Sequence, residues 1–428
     1  MKLFSEYKGL RKEVYILCFG RTMTNLGSII WPMFTLILNR KLGLNASDIA
    51  LCMMLYSIAA IPVSLFGGKL ADRYSKKNVI IAADCISILA YFYCAAVPVT
   101  KLSVLVFSVA SLFQTIEWPS YEALIADITS SADRERAFSL HYLGANLGSV
   151  LAPTLGGLLI NSHLNLAFLI SGISIASSTF LIALLIRDVH REEDDSAAGR
   201  YQADIDSNAS PVRYVLGNRV ILLFFISSIL AYAVYDMFGY LMPLDLTAVH
   251  GEPGSVIYGT MTSVNCVLVV LLTAGITRWL RRLSDGKKIL LGQTLIGFGL
   301  LIFVLFVKNT LICYLAISVF TVGEIIDTIA ASPFLTRRIP ASHRGRISAV
   351  LNVVSTCFVG AFQLGIGRLY DRFGSAAAWK AVFLVTVLML AVLCVLQKLD
   401  RTDYPALAKG AAEQEDGPLS GPDKEEGK

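Results

Sequence analysis

The chain has little charge: Asp, Glu, Lys and Arg make up only 16% of its 428 residues, while 55% are hydrophobic and the mean hydropathy is +0.62. A water-soluble domain carries about a quarter charged residues, so a soluble fold does not fit this composition. Metal chemistry is poorly provided for as well. The five histidines form no HxxxH or Cys/His cluster. The eight cysteines (Cys18, Cys52, Cys85, Cys94, Cys266, Cys313, Cys357 and Cys394) all fall inside apolar runs without redox or zinc spacing. They read as small core hydrophobes. No GxxxxGK[ST] loop is present, which argues against ATP as the energy source. No metal or cofactor is expected, and no enzymatic site. The first apolar run is long and lacks a small-residue cleavage site, so it is expected to remain as a membrane helix rather than be removed as a signal peptide.

Long apolar runs are abundant. A membrane-crossing helix needs roughly 20 mostly apolar residues, because its backbone must satisfy its own hydrogen bonds in hydrocarbon. Twelve such spans are predicted, at about Val14 to Leu38, Ile49 to Phe66, Asn78 to Val97, Leu102 to Ile125, Ala137 to Ile160, Leu166 to Ile186, Val220 to Leu246, Val256 to Leu280, Ile289 to Val307, Leu311 to Leu335, Ile347 to Leu369 and Ala377 to Leu396. The net charge of +5 matters less than where its cations lie. One set of alternate loops holds only Arg40, Lys41, Lys101, Lys308, Arg368, Arg372 and Lys380. The other set, with both tails, holds several times as many, which predicts both termini in the cytoplasm of a multi-pass cell-membrane protein. The basic excess is thus an orientation signal and gives no support for nucleic-acid binding.

Between Arg187 and Arg219 the apolar pattern gives way to charged and small residues, the composition of a solvated linker. The expected organisation is a six-helix bundle over 1–186, a cytoplasmic linker over 187–218, a second bundle over 219–398 and a disordered cytoplasmic tail over 399–428. The halves repeat at an offset of about 210 residues, as in many secondary transporters. Gly68 and its basic loop answer Gly275 and the Lys287-Lys288 loop, and Arg134-Glu135-Arg136 answers Arg344-Gly345-Arg346. Further along, Gly156-Gly157 answers Gly365 and Gly367, and Glu117 answers Asp327.

The most specific short motif is Gly68-Lys69-Leu70-Ala71-Asp72-Arg73-Tyr74-Ser75-Lys76-Lys77, after the second span. It resembles the signature loop of the major facilitator superfamily, with Ser75 in place of the usual second glycine. The resemblance implies an all-α membrane fold of twelve transmembrane helices in two pseudo-symmetric six-helix bundles. It also implies that Gly68, Asp72, Arg73, Lys76 and Lys77 form a latch at the cytoplasmic ends of the halves. Physically, Asp72 can accept hydrogen bonds from free N–H groups at another helix's N-terminus; the plainer reading of the basic residues is an anchor at the anionic leaflet. In the fifth span, Gly148, Pro153, Gly156 and Gly157 are similar to the glycine- and proline-rich packing element of the superfamily's antiporters, with Ala152 where glycine is usual. Small residues permit close helix approach, and proline frees a carbonyl and bends the helix. The arginine that drug/proton antiporters often carry in the fourth span is missing.

Ionisable residues in hydrocarbon cost at least about 2.5 kcal/mol at the centre and usually face a water-filled pathway or each other. Here Arg21 lies in the first span, Glu117 in the fourth, Asp236 in the seventh, and Glu324 with Asp327 in the tenth. The resemblance places these four spans around the central cavity. Arg21 and Asn25 share a helical face, and Arg21 is expected at the depth of Glu117. Tyr232, Tyr235, Asp236, Gly239 and Tyr240 are expected along one side of the seventh span, a wall suited to an amphipathic or cationic ligand. Asp84 and Glu122 are read as nearer the membrane boundary. The expected function is proton-coupled efflux of small amphipathic compounds by alternating access, through Arg21, Asn25, Glu117, Tyr235, Asp236, Glu324 and Asp327. The expected partners are a small-molecule substrate, protons and the lipid bilayer, with the chain acting as a monomer. The alternatives are proton-coupled uptake of a small anionic or zwitterionic solute, with Arg21 on its carboxylate, or lipid flipping.

Overall fold

A computed structural model describes residues 9–130, 133–186, 211–339 and 344–408; the side chains of Ala71, Asp72, Trp118, Pro119, Arg134, Glu135, Pro211, Val212, Ala406 and Ala408 lie outside that description, as does residue 68 beyond its backbone. The described residues form helices α1 (Lys12–Leu26), α2 (Phe34–Leu42), α3 (Ala46–Arg73), α4 (Lys76–Ala96), α5 (Lys101–Ile128), α6 (Arg134–Ser149), α7 (Ala152–Leu159), α8 (Leu164–Leu185), α9 (Pro211–Gly217), α10 (Arg219–Tyr235), α11 (Met237–His250), α12 (Pro253–Trp279), α13 (Asp285–Phe306), α14 (Thr310–Arg338), α15 (Arg344–Phe373), α16 (Ser375–Asp403) and α17 (Pro405–Ala408). No strand occurs among them.

Ten stretches are long and apolar enough to cross a bilayer, where twelve spans were expected. The first and fifth spans account for the difference, because each is two helices in succession. Turns from Gly27 to Met33 separate α1 from α2, around Pro32, and α6 ends at Ser149, just before Pro153 opens α7. A proline supplies no N–H to the carbonyl four residues back, so each break follows from a residue type present in the sequence. The seventh span is divided at Asp236 into α10 and α11, yet remains one apolar stretch.

The turns between spans are short and chemically marked. Asn45, Ser75, Asn218 and Asn309 each accept a hydrogen bond from the first turn of the following helix, and Thr100 with Ser103 forms a reciprocal capping box. Three glycines with positive φ, Gly43, Gly251 and Gly374, stand in turns at the same end of the molecule.

Within each half the helices pack as a bundle: α4 on α5 and α8, α1 on α6 and α8, α13 on α14 and α16, and α10 on α16. Across the halves, α3 meets α15, α2 meets α11, and α12 meets α6 and α7. The cross-half pairs therefore join the second span to the eleventh and the fifth to the eighth. Exchanging the halves maps one of these pairs onto the other, as a two-fold repeat requires.

The second half extends beyond the boundary expected at 398. Helix α16 runs on to Asp403 because its last turns have partners. Arg338 donates to both carboxylate oxygens of Asp400 at 2.6 and 2.8 Å with both side chains buried, and the Phe334 ring lies 3.7 Å from the guanidinium. Arg219 binds Asp403, and Asn218 donates to the Tyr404 hydroxyl at 2.7 Å. The expected disordered tail thus begins inside a helix; its remainder, 409–428, and linker residues 187–210 lie outside the described residues, while 211–217 are helical.

Candidate functional site

Of the charged residues expected in the membrane, all but Asp236 gather into two clusters, one in each half, rather than around one shared cavity. In the first half, Arg21 Nη1 stands 3.6 Å from Glu117 Oε1 with both side chains buried. The guanidinium also lies over the Tyr121 ring, whose other neighbour is His141, stacked at 5.4 Å. Asn25 faces the fifth span, donating to Ala145 O at 2.8 Å and to Ser149 Oγ. A cavity of about 130 Å³ bordered by Arg21, Asn25, Ser111, Gln114 and Glu117 opens beside the pair. Asp84, read from sequence as near the boundary, is instead only 1% exposed and accepts from Thr179 Oγ1 at 2.7 Å. Periodicity alone could not reveal this, because depth along a span says nothing about which neighbour it faces.

In the second half, a cavity of about 450 Å³ runs from Tyr235, Ile296 and Glu324 in mid-span to Thr336, Ser348 and Asn352, beside the loop between the tenth and eleventh spans. Glu324 and Asp327 both line it, as their i, i+3 spacing predicts. Tyr235 donates to Glu324 Oε1 at 2.8 Å, and Asn265 donates to Glu324 Oε2 at 2.6 Å and to Thr321 Oγ1 at 2.9 Å. Gln293, beside Asp327 on the same wall, and Asn265 have no counterpart in the sequence reading. The tenth span is held against the ninth by bare backbone: a Cβ on Gly292 would lie 2.8 Å from Gly323 O.

Two members of the expected aromatic wall belong elsewhere. Asp236 lines neither cavity and accepts from Gln363 on the eleventh span. Tyr240 is fully buried and donates across the halves to Ala46 O at 2.6 Å. Tyr232 and Tyr235 line the cavity, while Tyr240, further along the span, packs against the other half.

Hydrogen bonds between the halves concentrate at the end bearing Gly43, Gly251 and Gly374. Asp371, at the close of α15, accepts from the backbone N–H groups of Ala46 and Ser47 at 2.9 and 2.8 Å and from the Ser47 hydroxyl. Thr35 donates to Gly239 O, Arg40 donates to Gly251 O, and Asn161, itself held by Arg40 within the first half, donates to Glu252 O and Ser255 Oγ. Deeper in, Thr154 pairs with Ser263 at 2.7 Å. The glycines of the fifth span make this approach possible. A Cβ on Gly157 would lie 2.5 Å from Ser255 O, and one on Gly259 would collide with Pro153 O. Gly148 and Gly156 press in the same way on the first span, at Thr22 O and Ile29 O.

Lys76 and Lys77 of the basic loop after the second span contact their own half. Lys76 pairs with Asp127 at 2.8 Å, and Lys77 donates to Ala183 O and Ile186 O, so both brace their own bundle. Arg73 is exposed, its guanidinium 5.9 Å from the Tyr74 ring. Asp72, the residue expected to act as the latch, lies outside the described side chains. The chemistry expected of it is seen at the opposite end, in Asp371. Gly367-Arg368-Leu369-Tyr370-Asp371-Arg372-Phe373 matches Gly68-Lys69-Leu70-Ala71-Asp72-Arg73-Tyr74 at Gly, Leu, Asp, Arg and a closing aromatic. The sequence reading missed this second copy because it sought repeats only at the half-chain offset.

The family model described as Major Facilitator Superfamily matches residues 17–363. This chain belongs to that superfamily. It is a multi-pass membrane transporter and not an enzyme. The superfamily chain is 24% identical over 357 residues to a Na(+), Li(+), K(+)/H(+) antiporter of Planococcus maritimus, covering 76% of this chain and 81% of that one. It is 25% identical to the quinolone resistance protein NorA of Staphylococcus aureus over 194 residues, 44% of this chain and 48% of the other. Among solved structures, the peptide transporter POT in complex with sulfate superposes with a TM-score of 0.75 at 14% identity, covering 94% of this chain and 96% of that one. A mutant of the nucleoside transporter NupG gives 0.66 at 15% identity, with 89% and 98% covered. At such identities the solved structures speak for the fold alone.

Proposed function

We propose that the protein exports small amphipathic compounds, cations foremost, in exchange for protons by alternating access. The observation that carries this reading is the asymmetry of closure: the halves are hydrogen-bonded together at one end, while an acid-lined cavity runs from mid-span toward the other. That arrangement is one of the two end states a rocking-bundle transporter needs. The charge pattern of the loops supports an extracellular closed end and cytoplasmic termini. The first bundle then ends near residue 186 and the second starts near 219, with the chain working as a monomer in the bilayer.

The cavity supports the substrate class. Its volume of about 450 Å³ suits a drug-sized molecule, Phe224, Tyr232 and Tyr235 offer aromatic surface, and Glu324 and Asp327 offer negative charge. Glu324 serves as the coupling group in this reading. A cationic substrate and a proton compete for the same carboxylates, so binding one displaces the other. The name of one relative, a cation/proton antiporter, agrees with exchange of this kind, and that of another, a quinolone resistance protein, agrees with a drug-sized substrate.

Purified protein in liposomes loaded with a pH dye tests the proposal. Adding an amphipathic cation outside should drive protons out of the lumen and dissipate an imposed inside-acid pH gradient. Proton entry together with a zwitterionic solute, and none with the cation, would contradict export and favour the uptake reading.

A further inference from the structure

The acids of the second half account for one proton carrier, and the first half holds a buried cluster that this mechanism does not use. Asp84 on the third span and Glu117 on the fourth are 1% and 2% exposed. Asp84 Oδ2 is served by Thr179 on the sixth span, whereas Asp84 Oδ1 and Glu117 Oε1 receive no hydrogen bond among the described residues. The two carboxyl groups nonetheless meet side chain to side chain. Two ionised carboxylates in contact cannot both be stable out of water, and neither can donate to the other.

The charges facing this pair come from every neighbouring span. The first contributes Arg21, whose guanidinium lies 3.6 Å from Glu117 Oε1. The fourth also contributes Tyr121, whose hydroxyl is directed to Ser178 of the sixth at 3.5 Å. The fifth contributes His141, which stacks on Tyr121, forms no ion pair with either acid, and leaves Nδ1 without a partner. One guanidinium thus opposes two carboxyl groups. A single added positive charge balances the cluster, and a proton on one carboxyl group also supplies a donor to the other.

We propose that Asp84 and Glu117 form a proton-binding dyad in the first half, holding one exchangeable proton shared between their two carboxyl groups beside Arg21. The small cavity that borders Arg21 and Glu117 gives water a route to it. The proton arrives from water and returns to it, and no bond other than O–H forms or breaks. This site rests on the proton-coupled reading for its use in transport, but its existence does not.

Infrared difference spectroscopy on purified protein tests the site without any transport step. Glu324→Gln and Asp327→Asn are combined first, so that the two acids lining the second half's cavity are silent. A protonated-carboxyl C=O band should remain at neutral pH and disappear on adding either Asp84→Asn or Glu117→Gln, because the surviving acid then ionises against Arg21. Thr179→Val, which keeps both acids but removes the hydroxyl that favours ionised Asp84, should move the band's titration to higher pH. Three results would overturn the dyad: no such band, a band unmoved by all three substitutions, or a band abolished by sodium at fixed pH. The last would mark a metal-cation site instead. Loss of transport with the band intact would count against the coupling mechanism alone.

Discussion

Replacing Asp371 with Ala removes the acceptor of two backbone N–H groups and one hydroxyl across the closed end. Asp371 caps the start of α3 from the other half, so its contribution is that of an N-cap with a favourable helix dipole. The contact is exposed to water, and the sum is about 1–2 kcal/mol. Because the contact exists only when this end is shut, that energy biases the conformational equilibrium directly. The closed-to-open ratio should fall roughly 5- to 30-fold. The assay is labelling of Ser263→Cys, half-buried between the halves against Thr154, by a membrane-impermeant maleimide, in a background with the native cysteines replaced. When opening is fast, the labelling rate follows the open fraction, so it should rise by that factor. Asp371→Asn, which keeps one acceptor but loses the charge, should give a smaller rise, and Ser47→Ala a smaller one still. An unchanged rate in Asp371→Ala would refute the claim that this carboxylate holds the end shut.

Glu324→Gln should still bind an amphipathic cation, more weakly, and should lose proton release in the liposome assay; retained release would move the coupling group elsewhere. Gly259→Val should insert into the membrane yet fail to close, raising Ser263→Cys labelling as Asp371→Ala does, since its side chain would occupy the position of Pro153 O. Arg338→Ala strands Asp400, buried at the far end of α16, and should cost roughly 3–5 kcal/mol, read as a lower Tm in detergent. The double variant Arg338→Met with Asp400→Leu should recover most of that loss; no recovery would mean that the pair does more than neutralise itself.

The membrane architecture was legible in the sequence because a bilayer permits few solutions: a long apolar run must be a helix, and loop cations orient it. The packing glycines and the pairing of Arg21 with Glu117 were legible for a related reason, since small residues and buried charges in hydrocarbon need partners. Facing was not. Asp84 and Asp245 look alike as acids near span ends, yet Asp84 meets another carboxyl group while Asp245 is fully served by Tyr370, Ser375 and Trp379. That contrast depends on which helices adjoin, which a single sequence does not encode locally. Pro153 was read as bending the fifth span, whereas the break at Pro32 in the first was not anticipated, because hydropathy reads through a turn without registering it. The second copy of the glycine-aspartate-arginine motif at 367–373 was present all along, one span from the end of the chain.

The claim that the halves rock about a central site is tested most directly by distances measured between spin labels at both ends of one molecule. One pair belongs at Ser162 and Glu252, beside the cross-half contacts of the closed end, and the other at Tyr74 and Arg346, at the opposite end. Adding substrate or shifting pH should lengthen one distance distribution while shortening the other. Two distances that rise and fall together, or that never respond, would contradict alternating access in this protein.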